Sequence, residues 1–164
     1  MNDKKNELIE AVRADAVAEA EALLDASNAN VVDEQGRPLL LVAIKSGASR
    51  EMVELLLQRG ADLMWTTEEG VSLLDEAVEK NRVDLVKLFI ERGIDPAATR
   101  RKSGMTALML AACFDYIEMM ELLYAHGADL YAEDQFGFTA ADFARKLRRE
   151  RAGRWIAEKM ENPF

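Results

Sequence analysis

The chain has 164 residues, a net charge of −9, and 49% hydrophobic against 31% charged residues. That balance suits one compact domain or one short repeat array, and it excludes a disordered chain. No window approaches 18 uncharged apolar residues, so no membrane-spanning helix is expected, and the one cysteine, Cys113, excludes an intrachain disulfide.

The first stretch, MNDKKNELIEAV, runs from Lys4 and Lys5 straight into Glu7 and Glu10 without an apolar run. No secretory signal is read there, and cytoplasmic residence is the simplest expectation. Asn6–Ala14 and Ala16–Ala26 read as a helix pair that caps the front of the chain. The charge is uneven. Residues 1–82 carry 17 acids and 9 bases, and residues 83–164 carry 13 and 12. The overall sign argues against general nucleic-acid binding, which needs a sizeable positive face. Basic clusters remain at Arg100-Arg101-Lys102 and from Arg145 to Arg154.

From residue 31 onward the chain repeats itself. Gly36, Gly70, Gly104 and Gly137 are spaced by 34, 34 and 33 residues. Two residues after them stand Pro38, Ser72, Thr106 and Thr139. Seven after them stand Ala43, Ala77, Ala111 and Ala144. Closing glycines follow at Gly60, Gly93 and Gly127, in LLLQRGAD, LVKLFIERGID and MELLYAHGAD. A hydroxyl or proline suits the start of a helix. A fixed alanine lets two helices approach. Met52, Val53, Leu55, Leu56 and Leu57 have helical apolar spacing. A closing glycine supplies a left-handed position after the last turn. About ten residues then lead to the next opening glycine, enough for a projecting turn.

GMTALMLAA with IEMMELLYAHGAD resembles the ankyrin repeat. GVSLLDEAV with VDLVKLFIERGID resembles it too, as does GRPLLLVAI with REMVELLLQRGAD, which has one extra residue near Gly47. GFTAADFA opens a fourth unit that then diverges into RRERAGRWIAEKM, where Trp155, Ile156 and Met160 are left to pack inward. The resemblance implies an all-α ankyrin-repeat solenoid of helix-turn-helix units with projecting β-turn or hairpin tips, a single domain over 1–164. Its expected parts are N-terminal cap helices over 1–33, repeats over 34–67, 68–101 and 102–134, and a C-terminal capping repeat over 135–164. Two departures stand out. The histidine of the family pattern is replaced by Leu41, Asp75, Met109 and Asp142, which predicts a lost structural hydrogen bond. The stretch IDPAATRRKSG holds one extra residue, which predicts a bulged tip.

The resemblance implies a non-enzymatic protein-binding module, a scaffold, adaptor or inhibitor, and a monomer. No phosphate loop, dinucleotide loop or metal-ligand spacing is present, so no catalytic, metal or cofactor site is expected. His126 reads as a helix-end residue, and Met109, Met119 and Met120 as core. In such stacks partner contacts come from the first helices and the turn tips. Those slots are polar in the first two units. In the last two they are aromatic, apolar and basic. The expected partner-binding set is therefore Arg100, Arg101, Lys102, Met105, Phe114, Tyr116, Phe136 and Phe138, a composition suited to binding hot spots. Trp65 and Tyr131 are expected either to extend this surface or to brace the turns, with bracing preferred. A second candidate surface is an acidic stripe of Glu34, Glu68, Glu69 and Glu79, suited to steering a basic partner such as a toxin. A third reading is a haem or small-ligand carrier that uses Cys113 or His126 as axial ligand. It predicts a Soret band on haem addition that Cys113→Ala or His126→Ala abolishes.

Overall fold

The computed structural model describes residues 2–161; Met1 and residues 162–164, the outer ends of the two expected caps, lie outside the described residues. Among the described residues ten α-helices succeed one another, and the only extended pairing is two isolated bridges, Val32 with Pro38 and Thr66 with Ser72. The chain divides into two compact units, one ending at Trp65 and one starting at Thr66.

The first unit holds α1 (Asn2–Arg13), α2 (Val17–Leu23), α3 (Leu39–Ser46) and α4 (Arg50–Gln58). Here α1 packs on α3 and α2 on α4. The second holds α5 (Leu73–Glu79), α6 (Val83–Glu91), α7 (Ala107–Cys113), α8 (Ile117–Ala125), α9 (Ala140–Lys146) and α10 (Glu150–Glu161). In it α5, α7 and α9 pack side by side, and α6, α8 and α10 do the same. Each helix is too short to be stable alone, so the apolar faces between neighbouring pairs hold the fold.

The core follows the helical period. Met52, Val53, Leu55 and Leu56 are buried, as are Leu85, Val86, Leu88 and Phe89 in α6 and Met119, Met120 and Leu123 in α8. Leu57 lies on the flank of α4 and is only half-buried. Ala43, Ala77, Ala111 and Ala144 are almost fully buried. They also accept a hydrogen bond that ends each first helix. The residue between the paired helices is left-handed in every pair: Asp15, Gly47, Asn81, Asp115 and Arg148 all have positive φ. The next N–H then bonds back to Ala11, Ala43, Ala77, Ala111 or Ala144. Ala11 thus joins the alanine series, and α1–α2 is closed by the same device as the later pairs.

Second helices end with three hydrogen-bonded glycine caps. Gly60, Gly93 and Gly127 have φ between 92° and 96°. Their N–H groups bond to Leu57, Ile90 and Tyr124, and the following N–H groups to Leu56, Phe89 and Leu123. This double bond satisfies the last carbonyls of α4, α6 and α8. At the front, α1 begins at Asn2, earlier than expected, and α2 stops at Leu23, earlier than Ala26. The Asn28 side chain terminates α2, donating to the Leu23 carbonyl at 2.9 Å and accepting from the Asp25 N–H at 2.8 Å.

First helices begin on their hydroxyl residues. Ser72, Thr106 and Thr139 accept from the N–H three residues on at 3.1–3.3 Å. Pro38 occupies the same position without a side-chain bond. The expected loss of a hydrogen bond at the substituted histidine positions is corrected in three of four cases. Asp75 and Asp142 accept from the Ser72 and Thr139 N–H groups at 2.9 Å, and the Met109 sulfur takes the Thr106 N–H at 3.4 Å. These are reciprocal capping boxes, and a carboxylate or a soft sulfur replaces imidazole as acceptor. Only Leu41 has no acceptor to offer.

Two aspartates in the inter-helix turns reach into the following pair. Asp15 Oδ1 accepts from the Ser49 N–H at 3.0 Å and its hydroxyl at 2.9 Å. Asp115 Oδ1 accepts from the Ala152 N–H at 2.6 Å, at the start of α10. A carboxylate there satisfies an orphan donor at the positive end of the helix. Asp115→Ala is expected to cost about 1–2 kcal/mol and to speed hydrogen exchange through α10 before other helices. Equal protection in both proteins would contradict that role.

The last helix buries Ala152, Trp155 and Ile156 and leaves Met160 half-buried. Trp155 meets Tyr124 edge-on at 5.6 Å, but its buried indole N–H finds no acceptor among the described residues. Trp155→Phe removes that orphan donor while keeping most of the packing. It is expected to change stability by less than about 1 kcal/mol, whereas Trp155→Ala costs about 3–5 kcal/mol. Urea denaturation of the two variants separates the packing from the polar part.

Candidate functional site: tips and first-helix ends

Each tip is a tight turn at an opening glycine. In three tips one backbone bond closes the base, from Asp33 N–H to Arg37 O, Thr67 N–H to Val71 O and Asp134 N–H to Phe138 O. The tip with one extra residue cannot align that pair. There the Arg101 N–H donates to Thr99 Oγ1 at 3.2 Å, and the Thr99 hydroxyl donates to Met105 O at 2.7 Å. A side-chain relay thus closes the expected bulge.

In the second unit successive tips are joined. The Lys102 N–H donates to Glu69 O at 3.0 Å, and the Gln135 N–H to Ser103 O at 2.8 Å. Two glycines permit this approach. A Cβ on Gly70 would meet the Arg100 carbonyl and the Arg101 Cα, and one on Gly104 would lie 3.1 Å from the Gln135 nitrogen. The tips therefore present their side chains from a fixed backbone.

The eight residues of the expected aromatic and basic site divide into separate places. Arg101 is turned inward: its side chain is 16% exposed, its Nε lies 3.2 Å from the buried Asp75 carboxylate, and its Nη1 lies 3.8 Å from the Met105 sulfur. Arg101 therefore ties its tip back to Asp75, the capping residue of the preceding first helix, α5. Lys102 is exposed, 3.8 Å from Glu69, and Arg100 is also exposed. At the far end of α7, Phe114 stacks on Tyr116 at 5.3 Å and is 40% exposed. The Tyr116 hydroxyl donates to Glu79 O at 3.3 Å. On the last tip Phe136 is 73% exposed. Phe138 is not the open ring expected from its slot. It is half-buried, packed against Phe143 at 6.1 Å with the Lys146 ammonium 3.3 Å over its face. A ring covered by a cation is already satisfied and offers less to a partner. Leu147, at the end of α9, is 45% exposed and occupies the slot that Phe114 has on α7. Alignment to the repeat places it in a contact slot, but the slot alone does not mark it as exposed. Tyr131 is 64% exposed, while Trp65 is half-buried.

The acidic residues lie in both units. Glu34, in the first, binds Arg13 at 2.9 Å. Glu68, Glu69 and Glu79, in the second, are exposed, with Glu69 facing Lys102. The single histidine, His126, is exposed with Nδ1 2.9 Å from Leu122 O, a helix-end contact. Burial pushes the Cys113 thiol up, against the opposing pull of Arg149. A thiol held protonated is a poor nucleophile and a poor metal ligand. No helix among the described residues is long and apolar enough to cross a membrane.

Paired short helices, stacked through conserved-geometry caps and projecting tied tips, define an α-helical repeat protein. The family is set by sequence comparison: residues 8–100 and 74–163 match the model for ankyrin repeats in three copies, and the chain belongs to the ankyrin repeat family. It is similar to an ankyrin repeat-containing protein of Treponema pallidum, 34% identical over 74% of this chain and 41% of that protein. It is also similar to an ankyrin repeat protein of fowlpox virus, 31% identical over 80% of this chain and 30% of that protein. The nuclear factor NF-κB p105 subunit of Gallus gallus is 32% identical over 72% of this chain and 12% of its own length. The chain thus spans less than half the length of these relatives. Ankyrin repeats generally act as protein–protein interaction modules and are typically non-enzymatic.

Proposed function

We propose that the chain is a non-enzymatic interaction module whose partner docks on the second unit, with Phe136 as apolar anchor. The partner surface extends over Phe114 and Leu147, and Arg100 and Lys102 provide a basic rim. The observation that carries this reading is Phe136, an aromatic ring 73% exposed on a tip whose backbone is bonded to its neighbour. A rigidly presented ring loses little entropy on burial, and aromatic anchors beside basic residues are typical of binding hot spots. The matching partner carries an apolar pocket with an acidic rim. The acidic surface is a weaker candidate, because Glu34 and Glu69 already face basic side chains.

Affinity capture from lysate of the source cell tests this, with wild type beside a Phe114→Ser, Phe136→Ser variant matched by circular dichroism. A protein retained by wild type and released by the variant supports the surface. One retained equally by both removes it. Phe136→Ser alone is expected to weaken a captured complex by about 2 kcal/mol, read by titration calorimetry.

A further inference from the structure

The two ends of the helical series carry opposite charge around similar apolar floors. A groove of about 590 Å³ is lined by α9, α10 and their connection alone. Its floor includes Ala141, Ala144, Gly153, Ile156 and Met160, and its rim has Arg145, Arg148, Arg149 and Arg154 against one acid, Glu150. A groove of about 620 Å³ is lined by α1, α2 and the turn between them. Its floor is Ala11, Ala14, Ala22 and Leu23, and its rim is Glu7, Glu10 and Glu19.

These two surfaces belong to equivalent helix pairs. Ala11 lines one groove and Ala144 the other, and each accepts the backbone bond that closes its pair. Inside each unit a pair packs directly on the next, α1 on α3 and α7 on α9. The pair α9–α10 has no following pair among the described residues, and α1–α2 has no preceding one. Part of the charge is already engaged: Glu10 binds Arg13 at 2.7 Å, Arg145 binds Asp142 at 2.8 Å, and Arg149 donates to Cys113 O. Among the described residues Glu7, Glu19, Arg148 and Arg154 form no ion pair.

We infer that a second copy of this chain docks here, the α1–α2 face of one copy seated on the α9–α10 face of the other. The contact repeats the helix-pair stacking used within each unit, and the glutamate rim meets the arginine rim. Such a contact is heterologous, so a dimer keeps one unused acidic and one unused basic face, and association extends beyond two. Charged rims of this kind attract through exposed side chains, so the assembly weakens as salt is added. It replaces the monomer expected from the sequence and is independent of the Phe136 surface.

Sedimentation velocity of the 164-residue chain, from micromolar to near-millimolar concentration at low and high salt, reads this directly. The weight-average coefficient rises with concentration at low salt and falls to the monomer value at high salt. Glu7→Arg with Glu19→Arg blocks one face, and Arg148→Asp with Arg154→Glu blocks the other. Each variant alone associates about tenfold more weakly or worse. An equimolar mixture of the two forms a dimer and nothing larger, because each supplies the face the other lacks. Circular dichroism confirms that both fold, and the wild-type series decides the matter by itself if either does not. A monomer at every concentration overturns the inference and leaves the two faces to proteins of other sequence. Self-association undiminished in both variants overturns it as well, since another surface then holds the copies together.

Discussion

Gly70→Ala is expected to destabilise the second unit by about 3 kcal/mol or more. Two costs combine. Gly70 has φ +81°, where an L side chain is strained by about 1 kcal/mol. The new methyl would also run into the Arg100 carbonyl and lie 2.9 Å from the Arg101 Cα, all of it backbone. No rotamer change relieves that collision, so one tip must leave the other. The bond from Lys102 N–H to Glu69 O is then lost. Gly36→Ala is the matched control, since Gly36 has φ +74° and no atom within 4 Å of the added carbon. It should cost only about 1 kcal/mol. Guanidinium denaturation of both variants, with amide exchange at Lys102, measures the difference. Equal costs at the two glycines would show that the tips separate freely.

Asp33 is expected to be the largest single polar contributor to the first unit. Its carboxylate is fully enclosed and lies 2.7 Å from Arg37 and 3.1 Å from Arg13. It also accepts from the Gln35 and Arg37 N–H groups at 2.9 Å. Burial raises its pKa, but the Arg37 guanidinium and these two N–H groups outweigh that and hold it at about 2. A carboxyl depressed on folding stabilises the fold at pH above its unfolded value of about 4. That contribution, about 2 kcal/mol, is lost as the pH falls from about 4 through about 2. Asp33→Ala, which leaves two guanidinium groups around an empty site, should cost about 3 kcal/mol at neutral pH. Asp33→Asn should remove this part of the acid dependence while the other carboxylates keep theirs. Urea denaturation from acid to neutral pH tests both. An unchanged pH profile in Asp33→Asn would assign the acid sensitivity elsewhere.

These two residues show where sequence reading stops. Gly70 is visible in the chain as a turn glycine of an ordinary kind. That Gly70, more tightly than Gly104, is pressed against the next tip's backbone depends on how two turns come together. Asp33 reads as one acid among many, because its partner Arg13 lies 20 residues away. The same limit applies to the candidate site. Phe114, Phe136 and Phe138 occupy the slots where repeat alignment places them, but alignment assigns a position and not an exposure. The Lys146 side chain lies over Phe138, and the Asp75 carboxylate draws Arg101 inward. Each pairing joins residues apart in sequence and withdraws one member of the expected surface. Leu147 was missed for the converse reason: its slot was correct, and only the open space around it marks it as accessible.

The sequence by itself determined the repeating unit. Glycines at left-handed positions, hydroxyls at helix starts, fixed alanines and an i, i+3, i+4 apolar face are local requirements, and each can be met within one helix pair. The family and the all-α class follow from them. Tertiary structure alone decided which tips are bonded, which aromatic rings stay bare, and which carboxylate is enclosed between two guanidinium groups. Those features come from contacts between pairs, whose geometry is set by packing and not by any periodicity along the chain.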